Sequence, residues 1–172
     1  VSEDNRNVLI LSGETNAFLD LDDSFGTKIQ GLSDFTVSCF VNLESANTWS
    51  RIWDFGSSTD YYMFLTPNSG GGTVRFAFKN GAAEEKINGT GPVAVGKWVH
   101  VAVSLEGSVG KLFVDGIAVG TNEAMTLNPL SIGAIFTQNY IGNSQWPDPF
   151  MKGQMADFRV YDRALDVDDM LV

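Results

Sequence analysis

An antiparallel all-β sandwich is the fold class this sequence predicts, and three observations carry it. Apolar residues recur with a period of two rather than 3.6. Turn dipeptides that accept positive φ, Asn80-Gly81 and Asp115-Gly116, separate the alternating runs. Gly accounts for 18 of 172 residues, above the roughly 7% average, as a chain full of tight turns requires.

The elements follow in order. Phe18-Leu-Asp-Leu21 is a short strand whose Leu19 and Leu21 face inward, leaving Asp20 and Asp22 as a solvent-facing row. In Phe35-Thr-Val-Ser-Cys-Phe-Val-Asn42, Phe35, Val37, Cys39 and Val41 share one face and Thr36, Ser38 and Asn42 the other, with Phe40 the exception. Val74, Phe76 and Phe78 alternate with Arg75, Ala77 and Lys79, and Asn80-Gly81 then suits a two-residue hairpin. Val99, Val101, Val103 and Leu105 form the next row, opposite Trp98, His100, Ala102 and Ser104. Lys111-Leu-Phe-Val-Asp-Gly-Ile-Ala-Val119 spells strand, turn and strand in one stretch. Met155, Asp157, Arg159 and Tyr161 alternate with Ala156, Phe158 and Val160. Altogether roughly eleven to thirteen short strands are expected, with helix confined to the last few residues. There, Asp166-Val-Asp-Asp-Met-Leu-Val172 has the cap and acids of a first helical turn and then stops. The expectation is one domain spanning 1–172, cut from a longer polypeptide.

Composition narrows the function. Hydrophobic residues reach 44% and aromatics 12%, enough for a packed core. Eleven basic against 21 acidic residues give a net charge of -10, so nothing here neutralises a row of phosphates and nucleic acid is excluded. An anionic membrane surface is disfavoured on the same ground. No apolar run approaches the roughly 18 residues a membrane helix needs, so no membrane insertion is expected. The single Cys39 excludes an internal disulfide. Among apolar strand neighbours, it reads as a small buried hydrophobe.

Several segments together resemble a known family. Phe35-Thr-Val-Ser-Cys-Phe-Val41, Arg51-Ile-Trp-Asp-Phe-Gly56 and Tyr62-Met-Phe-Leu-Thr-Pro67 are similar to successive strands of the laminin-G-like, concanavalin A-like jelly rolls. Trp98-Val-His-Val-Ala-Val103 with Lys111-Leu-Phe-Val-Asp-Gly116 matches its most recognisable hairpin pair. Tyr140-Ile-Gly-Asn-Ser144 and Gly153-Gln-Met-Ala-Asp-Phe-Arg-Val-Tyr-Asp-Arg-Ala-Leu165 complete the pattern in the family's order. The variant it looks most like is the domain appended to bacterial secreted polysaccharide-degrading enzymes. The resemblance implies a two-sheet jelly-roll sandwich, located outside the cell or at its surface. It implies a non-catalytic role with a polysaccharide or oligosaccharide and the other domains of a parent chain as partners. It also implies a structural Ca²⁺ ion tying an early loop to the last strand. Here that loop supplies Gly13, Glu14 and Asn16, and the strand supplies Asp157. Asp157 otherwise caps backbone amides or pairs with Arg51 or Arg163.

Chemistry read from the residues agrees with a non-catalytic domain. The Glu-x-Asp-x-x-Glu signature of concanavalin-like hydrolases is absent, and the adjacent Glu84 and Glu85 point to opposite faces. His100 is the sole histidine, so a two-histidine zinc site cannot form, and its mid-strand position reads as structural. Two aromatic clusters suit sugar binding, which combines a planar ring with amides and charges for hydroxyls. One is Trp49-Ser-Arg-Ile-Trp-Asp54 with Tyr61 and Tyr62; the other is Asn139, Tyr140, Asn143, Ser144, Gln145 and Trp146 before the Pro147-Asp-Pro149 turn, and from them Trp49, Arg51, Tyr62, Asn143, Gln145 and Trp146 are the expected sugar contacts. Asn143 and Gln145 share a face if the strand from Tyr140 continues. A protein-interaction or adhesion module, and a structural spacer packing on a catalytic domain, are the competing readings.

Overall fold

The structure, a computed structural model, describes residues 7–170. The outermost residues of the expected 1–172 domain, including Leu171 and Val172 of the terminal helical segment, lie outside that range. Twelve strands form two six-stranded sheets. They are β1 (Val8–Ser12), β2 (Leu19–Leu21), β3 (Phe35–Ser45), β4 (Trp53–Ser58), β5 (Tyr61–Thr66), β6 (Arg75–Asn80), β7 (Glu85–Asn88), β8 (Trp98–Glu106), β9 (Val109–Val114), β10 (Ile117–Asn122), β11 (Gln138–Ile141) and β12 (Lys152–Tyr161). The first sheet runs β1-β12-β3-β8-β9-β10 and the second β2-β11-β4-β5-β6-β7, every pairing antiparallel. This is the expected jelly-roll sandwich.

The period of two buries one face of each sheet against the other. Val37, Cys39, Val41, Val99, Val101 and Val103 come from the first sheet; Trp53, Phe55, Met63, Leu65, Phe76 and Phe78 come from the second. The layers interlock through rings: Phe35 of β3 meets Phe78 of β6 edge-on, with centroids 5.9 Å apart. Each such side chain stabilises the fold by about 1.5–3 kcal/mol through burial.

Three expectations are corrected. A helix, α1 (Asp23–Gln30), stands where none was expected. Asp22 caps it by accepting from the Phe25 N–H at 3.1 Å, so its carboxylate is an N-cap and not one of a row of strand acids. Ser24, Gly26 and Thr27 are poor helix formers, and packing overrides them. Phe25 meets Phe55 at 5.0 Å, while Gly26 lies so close to the Phe136 carbonyl that a Cβ there would be 2.0 Å from it. Second, Asn80-Gly81 opens a loop of residues 81–84 rather than a two-residue hairpin, because the ladder resumes only at Glu85 opposite Phe78. Asp115-Gly116 is the two-residue turn expected, both residues having positive φ (49° and 76°) between the paired Val114 and Ile117.

Third, the alternation along β12 changes phase. A bulge between Ala156 and Arg159 sets two residues, Asp157 and Phe158, against the single Cys39 of its partner β3, and Asp157 adopts φ 49°. Met155 faces the core before the bulge, and Phe158 and Val160 pack against it afterwards. Asp157 is therefore a half-buried bulge residue, and not a carboxylate pointing into the sandwich.

Candidate functional site

The outer face of the second sheet carries a second, smaller aromatic cluster. Residues in register there are Asp54 with Phe64, Gly56 with Tyr62, and Phe64 with Ala77. Tyr62, Phe64 and Ala77 are buried because Trp49 and Trp146, from two loops, close over them. Between the two indoles lies a cavity of ≈ 260 Å³ lined by Trp49, Arg51, Tyr62, Phe64, Glu84, Trp146 and Asp148.

Each wall is fixed by the chain around it. Trp49 sits at φ 66°, left-handed and rare for a bulky residue. Its N–H donates to the Asn68 carbonyl at 2.8 Å, and Thr66 Oγ1 donates to the neighbouring Ser50 carbonyl at 2.6 Å. Gly70 lets the indole lie flat, since a Cβ there would be 3.1 Å from Trp49 Cζ2. On the other side Gly142, at φ 84°, ends β11 and turns the chain outward. Ser144 Oγ then donates to Asp148 Oδ2 at 2.9 Å and accepts from the Trp146 N–H at 3.1 Å. Trp146 stands edge-on to Tyr62 at 4.9 Å and to Phe64 at 6.1 Å.

Arg51 is the hub. Its guanidinium carbon lies 3.9 Å from the Phe64 ring centre, 5.4 Å from Trp146 and 5.7 Å from Trp49. Nε is 3.3 Å from Asp54 Oδ2, Nη2 is 3.1 Å from Asp148 Oδ2, and Nη1 donates to the Trp49 carbonyl. Burial lowers the affinity of this guanidinium for its proton, and Asp54 and Asp148 oppose the shift. Burial also raises Asp54 to about 6, opposed by Arg51 and by Gln145. At the far rim Tyr62 Oη donates to Glu84 Oε2 at 2.6 Å, and Arg75 Nη1 lies 3.8 Å from Glu84 Oε1. Burial, then Glu84, keeps the Tyr62 phenol protonated and donating.

Four of the expected sugar-site residues thus converge: Trp49, Arg51, Tyr62 and Trp146. Two take other places. The strand from Tyr140 ends at Ile141, so Asn143 and Gln145 do not share a strand face. Asn143 is not among the lining side chains. Gln145 is a support: its Nε2 and backbone N–H donate to Asp54 at 2.7 and 3.2 Å. Sequence reasoning missed Phe64, Glu84 and Asp148, and it placed Asp54 in the first cluster without its buried, supporting role. Asp148 was marked by its flanking prolines, and Asp54 by a carboxylate alternating with Trp53 and Phe55. Glu84 and Glu85 do diverge: Glu85 instead accepts from the Thr126 and Leu127 amides.

The calcium ligands implied by the resemblance do not fit one ion. Gly13 packs against Lys152, at the start of β12, whereas Asp157 follows Ala156, the partner of Val8. The loop of Gly13, Glu14 and Asn16 and the carboxylate of Asp157 therefore lie at opposite ends of β1, roughly 15 Å apart at about 3.3 Å per residue. Among the described residues no three His, Cys, Asp or Glu side chains gather as a metal site. His100 is buried on the outer face of the first sheet beside Phe40, with rings 4.9 Å apart, and burial holds it neutral by lowering its pKa.

Comparison with known proteins follows this geometry. Domain 4 of AbnA, a GH43 extracellular arabinanase from Geobacillus stearothermophilus, has a structure in complex with arabinotriose. It is similar with a TM-score of 0.74 and 20% identity, over 94% of this chain and 73% of that one. The CBM40 of the Ruminococcus gnavus IT-sialidase, bound to α2,3-sialyllactose, gives 0.69 and 16%, over 93% and 97%. The native heptameric SAP-like pentraxin of Limulus polyphemus gives 0.61 and 16%, over 98% and 82%. No curated protein sequence matches the chain. These likenesses establish the fold. A family model, described as the concanavalin A-like lectin/glucanases superfamily, matches residues 13–170, and to that family this chain belongs.

Proposed function

We propose that the protein is a non-catalytic carbohydrate-binding module for a neutral polysaccharide or oligosaccharide, working within a larger secreted glycan-active protein. The observation that carries this reading is the cavity walled by Trp49 and Trp146 and edged by carboxylates. Indole faces suit the apolar faces of sugar rings, and Glu84 and Asp148 offer acceptors to hydroxyls. The arabinanase domain and the sialidase CBM40, each in complex with an oligosaccharide, support a carbohydrate ligand, and the extracellular arabinanase supports the secreted setting.

Electrostatics favour a neutral sugar. Arg51 is already engaged by Asp54 and Asp148, and Arg75 by Glu84, and among the lining side chains two carboxylates, Glu84 and Asp148, stand against one guanidinium, Arg51. An acidic sugar would meet net repulsion. Acid–base hydrolysis needs a protonated carboxyl within reach of the glycosidic oxygen. Asp54, the carboxyl that burial raises, lies beneath Arg51 and Gln145 and does not line the cavity. Calcium plays no part in this reading.

A neutral-glycan array, run with and without EDTA, tests it together with Trp146→Ala. Binding is expected in both conditions, and the substitution is expected to weaken it about tenfold or more, the scale of an aromatic hot spot. Because Trp146 is half-buried in the small cluster, its loss should lower Tm only modestly. Undiminished binding by Trp146→Ala would sink the site. No binding to any neutral glycan would sink the function.

A further inference from the structure

The outer face of the first sheet, across the sandwich from the cavity, carries an exposed aromatic ring of its own. Trp98 opens β8, and at 42% it is the most exposed of the four tryptophans. Val99 after it lies in the core, so alternation turns the Trp98 indole outward. The ladder sets it in one cross-strand row: Trp98 pairs with Asn42 of β3, Asn42 with Gln154 of β12, and Gln154 with Ile10 of the edge strand β1. Val41, Leu43 and Met155, the chain neighbours of these amides, are core residues, so Asn42 and Gln154 project from the same outer face. Ile10, 72% exposed, ends the row. Neighbouring strands lie about 4.8 Å apart, so the row spans about 14 Å.

The fold makes no use of the polar groups in this row. Among the described residues, the Trp98 indole N–H and the side-chain amides of Asn42 and Gln154 have no hydrogen-bond partner. Asn68, Asn128 and Asn139, by contrast, spend their amides on holding backbone. The row carries no charge, and the ions beside it are paired: Glu44 with Lys152 at 3.2 Å, and Lys97 with Asp115 at 3.9 Å. A free indole in line with two free amides suits an extended, uncharged chain rich in hydroxyls. The ring covers apolar C–H groups, and each amide offers two donors and an acceptor. A charged partner would find no counter-ion here. A second copy of this chain would bring its own net charge of -10 against this one's.

We propose that the row of Trp98, Asn42 and Gln154 is a second binding surface, for a neutral glycan chain laid across the strands of the first sheet; this rests on the carbohydrate-binding reading above. The Trp49 and Trp146 cavity lies on the outer face of the second sheet, so the two surfaces point away from each other, with sheets packed about 10 Å apart between them. One short ligand does not reach both. The molecule therefore joins two chains, or two stretches of one polymer, and holds packed polymer more tightly than either surface does alone.

The test uses arabinan, xylan, mannan and β-glucan, each as short oligosaccharides and as insoluble polymer. Wild type is compared with Trp98→Ala, Gln154→Ala, Trp146→Ala and the double variant Trp98→Ala/Trp146→Ala, with Tm measured on each. Titration calorimetry with the oligosaccharide that binds should give two sites per molecule in wild type and one in either tryptophan variant. On the matching polymer, Trp146→Ala should keep residual binding that the double variant lacks. Trp98→Ala should weaken wild-type retention about tenfold, the scale of an aromatic hot spot. Gln154→Ala should weaken it about fivefold, the scale of a lost hydrogen bond. One site in wild type, with Trp98→Ala binding as wild type does, would overturn the second surface and leave the carbohydrate-binding reading in place. If Trp98→Ala fails to fold, undiminished retention by Gln154→Ala overturns it equally. A dimer in sedimentation that Trp98→Ala dissolves would overturn it by showing the row to be a contact between copies. Binding to none of the four glycans would overturn both readings.

Discussion

Asp54 joins the floor of the site to its wall, and its protonation should be visible. Its carboxylate takes both Gln145 donors and pairs with Arg51, while burial raises it to about 6. An unfolded Asp titrates near 3.9, so between about pH 6 and pH 4 the folded state holds the extra proton and this group alone raises stability as pH falls. Binding should move the opposite way. Neutralising Asp54 removes an ion partner from Arg51 and an acceptor from Gln145, which loosens the Trp146 wall. We expect affinity to fall between about pH 7.5 and about pH 5. Asp54→Asn should be weak at both values and nearly flat between them, as titration calorimetry would show. Wild-type affinity that is level across this range contradicts the role. Residue identities were readable where chemistry is local: Trp49, Arg51, Tyr62 and Trp146 stood out as aromatics and a cation beside polar neighbours. Glu84 was not, because it reaches the site only when the loop after β6 folds over Tyr62. Gln145 was misread because an amide's choice between solvent and a buried carboxylate is settled by the tertiary fold.

Among the elements, the strands were legible and the connections less so. Alternation is a property of neighbouring residues, so β3, β6 and β8 announced themselves. The bulge in β12 depends on the partner strand, and α1 depends on Phe55 and Phe136 for its packing. Two substitutions separate element stability from the site. Asp22→Ala removes the cap of α1 and should cost about 1 kcal/mol in chemical denaturation with binding intact. Gly56→Ala in β4 should act on both. A Cβ there would stand 2.3 Å from the Tyr61 carbonyl and 2.6 Å from Gln145 Nε2. The backbone oxygen cannot yield without disturbing the β4–β5 ladder. We expect about 1–3 kcal/mol of destabilisation together with lost binding. A Gly56→Ala protein that binds normally would mean Gln145 does not need its close seat on β4.

For the molecule as a whole, one core spans both sheets from Leu11 to Met155, which predicts all-or-none unfolding. Cys39 reports on it. The thiol is 1% exposed, and burial raises its pKa far above the ordinary value, so the reactive thiolate is suppressed. A thiol reagent should not label native protein, and labelling should rise along the urea curve together with loss of tryptophan fluorescence. Labelling well before that transition would mean that the sandwich opens locally around β3. The aromatic cluster of the site shares no residue with this core; the second sheet lies between them. Such a partition has an evolutionary consequence. The loops bearing Trp49, Glu84 and Trp146 can vary under selection for a new ligand while the residues that set the melting temperature stay as they are. A lineage on this scaffold could exchange one specificity for another through a few loop substitutions, with no intermediate that fails to fold.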